Sequence, residues 1–166
     1  IACPLTLTAF SPTGDRYVVA RPGRVTAKDG SFWLTVTGTR GDSLVHRLVR
    51  YSGTPIPRSF VDSSKAACRA RESTAARMAA CNDLSHSPQL RYIHRVMLGL
   101  DRTIWLELQP DMRGRHWLTL SPTGEPIGRM TFPTRFFLWA ASRTAAWGTE
   151  TDADELENVV RYRIGR

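Results

Sequence analysis

Long apolar runs are missing from this chain of 166 residues, and nothing approaches the roughly 20 residues that a membrane-spanning helix needs. The first residues, Ile1-Ala2-Cys3-Pro4, carry neither the charged nor the apolar block of a signal peptide. As given, the chain reads as soluble. Lysine is scarce: Lys28 and Lys65 stand alone among 23 basic residues. Together with abundant Ala, Gly and Pro, this arginine dominance is a compositional bias and places no patch. The net charge is +8, but residues 1–149 hold 20 basic against 10 acidic side chains, residues 150–166 hold 3 against 5, and no run of five basic residues occurs. So diffuse an excess describes a solvated surface better than a phosphate-binding face, which disfavours nucleic acid as a partner.

Cysteine is also sparse. Cys3, Cys68 and Cys81 form no Cys-x-x-Cys pair and no Cys/His spacing of a zinc site. On one straight helix Cys68 and Cys81 would lie about 20 Å apart, past the limit of about 7 Å for a bridge. All three are therefore expected as small free thiols, and the redox compartment stays undecided.

What is present is a 42% apolar content, enough for a core, arranged mostly with a period of two. The expected strands are Leu5–Phe10, Arg16–Ala20, Phe32–Thr37, Leu44–Tyr51, Val96–Leu100, Thr103–Leu108, Trp117–Leu120, Ile127–Phe132, Phe136–Ala141, Ala145–Thr149 and Val159–Ile164. Between Ser59 and Asn82, Phe60, Ala67, Cys68, Ala75, Met78 and Ala79 recur at helical spacing. This predicts one peripheral helix over 59–82, inserted between loops.

Internal repetition is the most informative feature. Asp29-Gly-Ser-Phe-Trp33, Asp101-Arg-Thr-Ile-Trp105 and Ser142-Arg-Thr-Ala-Ala-Trp147 each set a polar turn before a tryptophan. Trp105 and Trp147 are 42 residues apart, the length of one four-stranded propeller blade of about 40–50 residues. Trp33 precedes Trp105 by 72 residues, one such period plus about 30 residues of insertion. A second echo links Phe10-Ser-Pro-Thr-Gly-Asp15 with Leu120-Ser-Pro-Thr-Gly-Glu125. In this register residues 96–132 form one full blade and 136–164 a three-stranded one. The pair 5–20 closes a preceding blade, and 24–58 forms another. The alternative architecture is a small sandwich with Trp in its core.

These Asp-turn-Trp units, the stretch Trp117-Leu-Thr-Leu-Ser-Pro-Thr-Gly-Glu-Pro-Ile-Gly-Arg-Met-Thr-Phe-Pro133 and the ending from Trp147-Gly-Thr-Glu-Thr-Asp to Val159-Val-Arg-Tyr-Arg-Ile164 resemble the bacterial six-bladed β-propellers related to NHL-repeat proteins. The resemblance implies an all-β fold: a partial β-propeller of about three to four antiparallel four-stranded blades with one helical insertion. It further implies a last blade closed by an N-terminal strand and a cell-envelope or extracellular setting. Too short for six blades, the chain is expected to be the C-terminal portion of a longer propeller or to assemble with other copies.

Two sharper motifs overlap at Arg40-Gly41-Asp42-Ser43-Leu44. Gly-Asp-Ser-Leu resembles the nucleophile block of GDSL esterases, and Asp83-x-x-His86 has the spacing of their second block, which would make Ser43, His86 and Asp83 a triad. That fold needs a parallel sheet with several crossover helices, so the motif reads as a Gly-Asp turn between strands. The same turn accounts for the integrin-like Arg-Gly-Asp. Asp152-Ala-Asp154-Glu155 opens like a calcium loop, but Glu157 stands where Gly is needed and Arg163 where a bidentate Glu belongs. His46, His86, His94 and His116 show no metal-ligand spacing. No catalytic residue, metal or cofactor is assigned. Asp101 and Glu107 are the weak binding candidates, by analogy with the acidic channel residues of calcium-dependent propeller hydrolases. Trp33, Trp105, Trp117, Trp139 and Trp147 are expected in packing between blades. The function expected is a non-catalytic binding or scaffold module presenting blade loops to a protein, peptide or small ligand. A metal-dependent lactonase or esterase and a nucleic-acid binder stand as the other readings.

Overall fold

All eleven strands announced by the period-two patterning are formed in the computed structural model, which describes residues 6–26, 28–52, 55–83, 92–108 and 113–165. They make three antiparallel sheets, each an up-and-down meander in chain order. The first contains β1 (Leu7–Phe10), β2 (Arg16–Val25), β3 (Asp29–Gly38) and β4 (Ser43–Ser52). After α1 (Arg58–Arg71) and α2 (Ala75–Asn82), the second contains β5 (Ile93–Leu98), β6 (Ile104–Leu108), β7 (Arg115–Leu120) and β8 (Pro126–Phe132). The third contains β9 (Phe136–Ala141), β10 (Ala145–Thr151) and β11 (Glu157–Arg163).

The grouping corrects the register drawn from the repeats. Residues 7–52 are not shared between two units; β1 to β4 pair as a single sheet.

The second sheet lies between the other two; β5 to β7 are largely buried on both faces, whereas most of β8 is exposed. Val96, Leu98, Ile104, Leu106, Leu118 and Leu120 pack toward Val18, Phe32, Leu34 and Val36 of the first sheet. On the opposite face Met97, Trp105, Trp117 and Phe132 meet Phe136, Leu138, Ala141 and Ala146 of the third. Strand alternation sends neighbouring residues to opposite faces, and every residue of β6 is therefore buried.

A common frame relates the first hairpins of the three sheets. The amide ending the first strand donates to a carbonyl at the start of the second: Ser11 to Arg16, Gly99 to Thr103 and Ser142 to Ala145, at 2.9, 2.7 and 2.8 Å, a closure that later hairpins also use, as from Gly38 to Asp42 and from Ser121 to Glu125. Two residues beyond those carbonyls stand Val18, Trp105 and Trp147. Val18 faces the second sheet and Trp105 faces the third. By alternation Trp147 points away from Ala146 and the shared core, where Arg161 lies 5.6 Å over its ring. The Trp105–Trp147 echo is thus structural, whereas Trp33 sits in the third strand of its sheet and is not its counterpart. The Ser-Pro-Thr-Gly echo is local turn chemistry, since it joins the first two strands of one sheet and the last two of another. Trp105 and Trp117 are core residues, but Trp33 and Trp139 are exposed, which corrects the expectation of five packing tryptophans.

The insertion folds as two helices. Glu72 is extended, and Thr74 caps α2 by accepting a bond from the Arg77 amide. The break at Ser73-Thr74 turns α2 back along α1 and brings Cys68 and Cys81 within 5.8 Å at Cα, where they form a disulfide. For Cys68 and Cys81 the free-thiol expectation fails because they do not share one straight helix; Cys3 lies outside the described residues. Lys65 and Arg69 of α1 also bind Asn82 at the carboxyl end of α2, where cations are favoured by the helix dipole. Neither helix supplies a residue to the two cores.

Closing a loop of this size stabilises its folded form by about 3 kcal/mol. We therefore expect the Cys68→Ser, Cys81→Ser double variant to lose helical circular dichroism and keep its strand signal. Loss of both in one transition would show that the helices support the sheets.

Candidate functional site

The first-hairpin turns lie against one another and use Asp101 as their tie. Its carboxylate accepts bonds from the Thr103 hydroxyl at 2.6 Å and from the backbone amide of Arg143, in the third sheet, at 2.8 Å. Arg102, held at a positive φ of 67°, reaches Asp15 of the first sheet at 3.4 Å. Partial burial pushes the Asp101 carboxyl pKa up, but the bonds from Thr103 and the Arg143 amide outweigh it and leave the pKa lowered. Asp101 is thus a charged tie between turns, with its oxygens already engaged.

The sequence motifs resolve into turns. Residues 39–42 connect β3 to β4, with Gly41 at φ 79° and the Gly38 amide bonded to the Asp42 carbonyl. Ser43 opens β4, Asp83 caps α2, and His86 lies outside the described residues. Asp152 folds its own loop, accepting from the amides of Asp154 and Leu156, both at 2.9 Å, and from the Asn158 side chain. His46 stacks on Trp33 at 4.7 Å, and His116 shares a hydrogen bond with Thr131. Among the described residues, no three His, Cys, Asp or Glu side chains converge as a metal site would require.

A cleft of about 1620 Å3 opens between the first and second sheets, at the end opposite these turns. Tyr51 from β4 and Tyr92 before β5 stack at 3.8 Å. The Tyr51 ring lies where a Cβ on Gly30 would stand, so Gly30 is required for the close approach. Arg24, Arg50 and Arg129 supply positive charge and Asp29 the opposing acid. Burial raises both tyrosine pKa values, with Tyr92 adding to the effect on Tyr51 and Arg129 opposing it at Tyr92. Their hydroxyls accordingly stay protonated as donors at neutral pH.

Glu107 lies on the other face of the second sheet. It is 2% exposed and accepts a bond from Arg115 Nε at 2.6 Å. Directly across the ladder from Glu107 is Arg95 of β5. Arg95 donates to the Leu138 carbonyl of β9 at 2.6 Å and lies 4.4 Å over the Phe137 ring and 5.8 Å from that of Trp117. Arg115 stands 5.4 Å over the same phenyl ring. Sequence reasoning singled out Glu107 but missed both arginines. Their signal was opposite charge on adjacent strands, directly facing Glu107 for Arg95 and diagonal to it, two residues before its partner Trp117, for Arg115.

No protein-family model, curated sequence or solved structure matches the chain.

Proposed function

We propose that the chain is a non-catalytic binding module built as a run of β-propeller-type blades, and that it takes an acidic peptide in the cleft between the first and second sheets. The blade reading is supported by the matching second-strand positions of Trp105 and Trp147 and by the side-by-side order of three meanders. The single observation that carries the binding reading is the cleft itself. Its volume exceeds the about 300–1,000 Å3 typical of compact small-molecule pockets, and it pairs stacked tyrosines with three arginines against one aspartate. Aromatic platforms give contact area at low entropic cost, and guanidinium groups match carboxylates. The Cys68–Cys81 disulfide supports an oxidising compartment.

The test is a fluorescence-anisotropy panel of labelled acidic, neutral and basic peptides containing an aromatic residue. Acidic peptides should bind the wild type best. Arg129→Glu and Tyr92→Ala should each weaken that binding about tenfold, equal to about 1.4 kcal/mol. Equal binding of all peptide classes, or unchanged binding by both variants, would overturn the reading.

A further inference from the structure

We propose that Arg95 and Arg115, at the junction of the second and third sheets, form a second site that binds an oxyanion, the carboxylate or phosphate group of a small ligand, against the Phe137 ring. The argument starts from charge. Arg95 and Arg115, both partly buried, and the buried Glu107 sum to one positive charge, and Glu107 is bonded to Arg115. Arg95 spends one nitrogen on the Leu138 carbonyl, while its Nη1, buried, has no hydrogen-bond partner among the described residues. A buried donor left unsatisfied costs about 1–3 kcal/mol, and more when charged. Burial lowers the Arg95 pKa; Glu107 opposes that effect and the neighbouring Arg115 adds to it. An anion relieves both deficits.

The geometry also fits. Two guanidinium groups stand over one phenyl ring, at 4.4 and 5.4 Å, and Arg95 is fixed by the β9 backbone. A planar donor already oriented loses little entropy on gripping an oxyanion. Arg95, Arg115 and Phe137 do not line the cleft, although Trp117 borders it, and Arg115 occupies the face of β7 opposite His116 and Leu118.

Because Trp117 lies beneath Arg95, tryptophan fluorescence reports occupancy. Titration with inorganic phosphate and, separately, acetate, at constant ionic strength set by chloride, should give a saturable change with at least one of them; the pair separates phosphate from carboxylate preference. Arg95→Met should weaken binding about tenfold, and Glu107→Gln, by removing a competing carboxylate, should strengthen it several-fold. Arg129→Glu in the cleft should leave it unchanged. Asp111 lies outside the described residues, so Asp111→Asn tests whether an internal carboxylate holds the place. The proposal is overturned if neither anion saturates, if Arg95→Met binds as the wild type does, if Glu107→Gln weakens binding, or if binding emerges only in Asp111→Asn. Should Arg95→Met fail to fold, the sign of the Glu107→Gln effect decides alone.

Discussion

Trp105→Ala is expected to destabilise the fold by about 3–5 kcal/mol, a third or more of the about 5–15 kcal/mol that holds a typical domain together. Trp105 is fully buried and meets Trp117 edge-on at 6.2 Å between centroids. Its indole nitrogen donates to the Thr103 hydroxyl at 2.8 Å, and that hydroxyl in turn donates to Asp101. Truncation therefore opens a cavity between the second and third sheets and removes a buried hydrogen bond next to the turn that ties them. Urea unfolding should show a lower midpoint. The control is Trp139→Ala on the free face of the third sheet, where the residue is 62% exposed and a surface change should stay within about 0.5 kcal/mol. Equal effects of the two variants would mean that the third sheet does not cover Trp105.

Strands were legible because one-sided burial writes alternation into the sequence, and the eleven segments appear with only their ends shifted. Which strands share a sheet was not legible, because a turn records its own chemistry and not its place in a sheet. Ser11, Thr13 and Asp15 bond to one another much as Ser121 and Thr123 do, yet the two turns serve different hairpins. Ser73-Thr74 carries a helix-starting signal, but the expectation of one helix rested on the apolar spacing alone and passed over it, and the disulfide was lost with it. At Glu107 the residue was found without its surroundings. A carboxylate inside a continuous apolar run, Ile104 to Leu108, demands a partner, and the candidates, Arg95 and Arg115, lie on strands whose pairing only the fold fixes.

That dependence makes Arg115→Met the second large prediction. The methionine keeps much of the side-chain volume but leaves Glu107 buried without its 2.6 Å donor. Breaking a buried pair from one side costs about 3–5 kcal/mol, and Arg95, across the ladder, should hold the loss near the lower end. Adding Glu107→Met removes the stranded charge and should recover most of the stability, because a buried ion pair and an apolar pair of similar shape differ little. The double-mutant cycle, read from urea midpoints, should therefore give a coupling of about 2 kcal/mol or more. A cost below about 1 kcal/mol for Arg115→Met, with no recovery in the double variant, would make Arg95 the principal partner of Glu107. The positive charge left over at the sheet junction would then reside on Arg115.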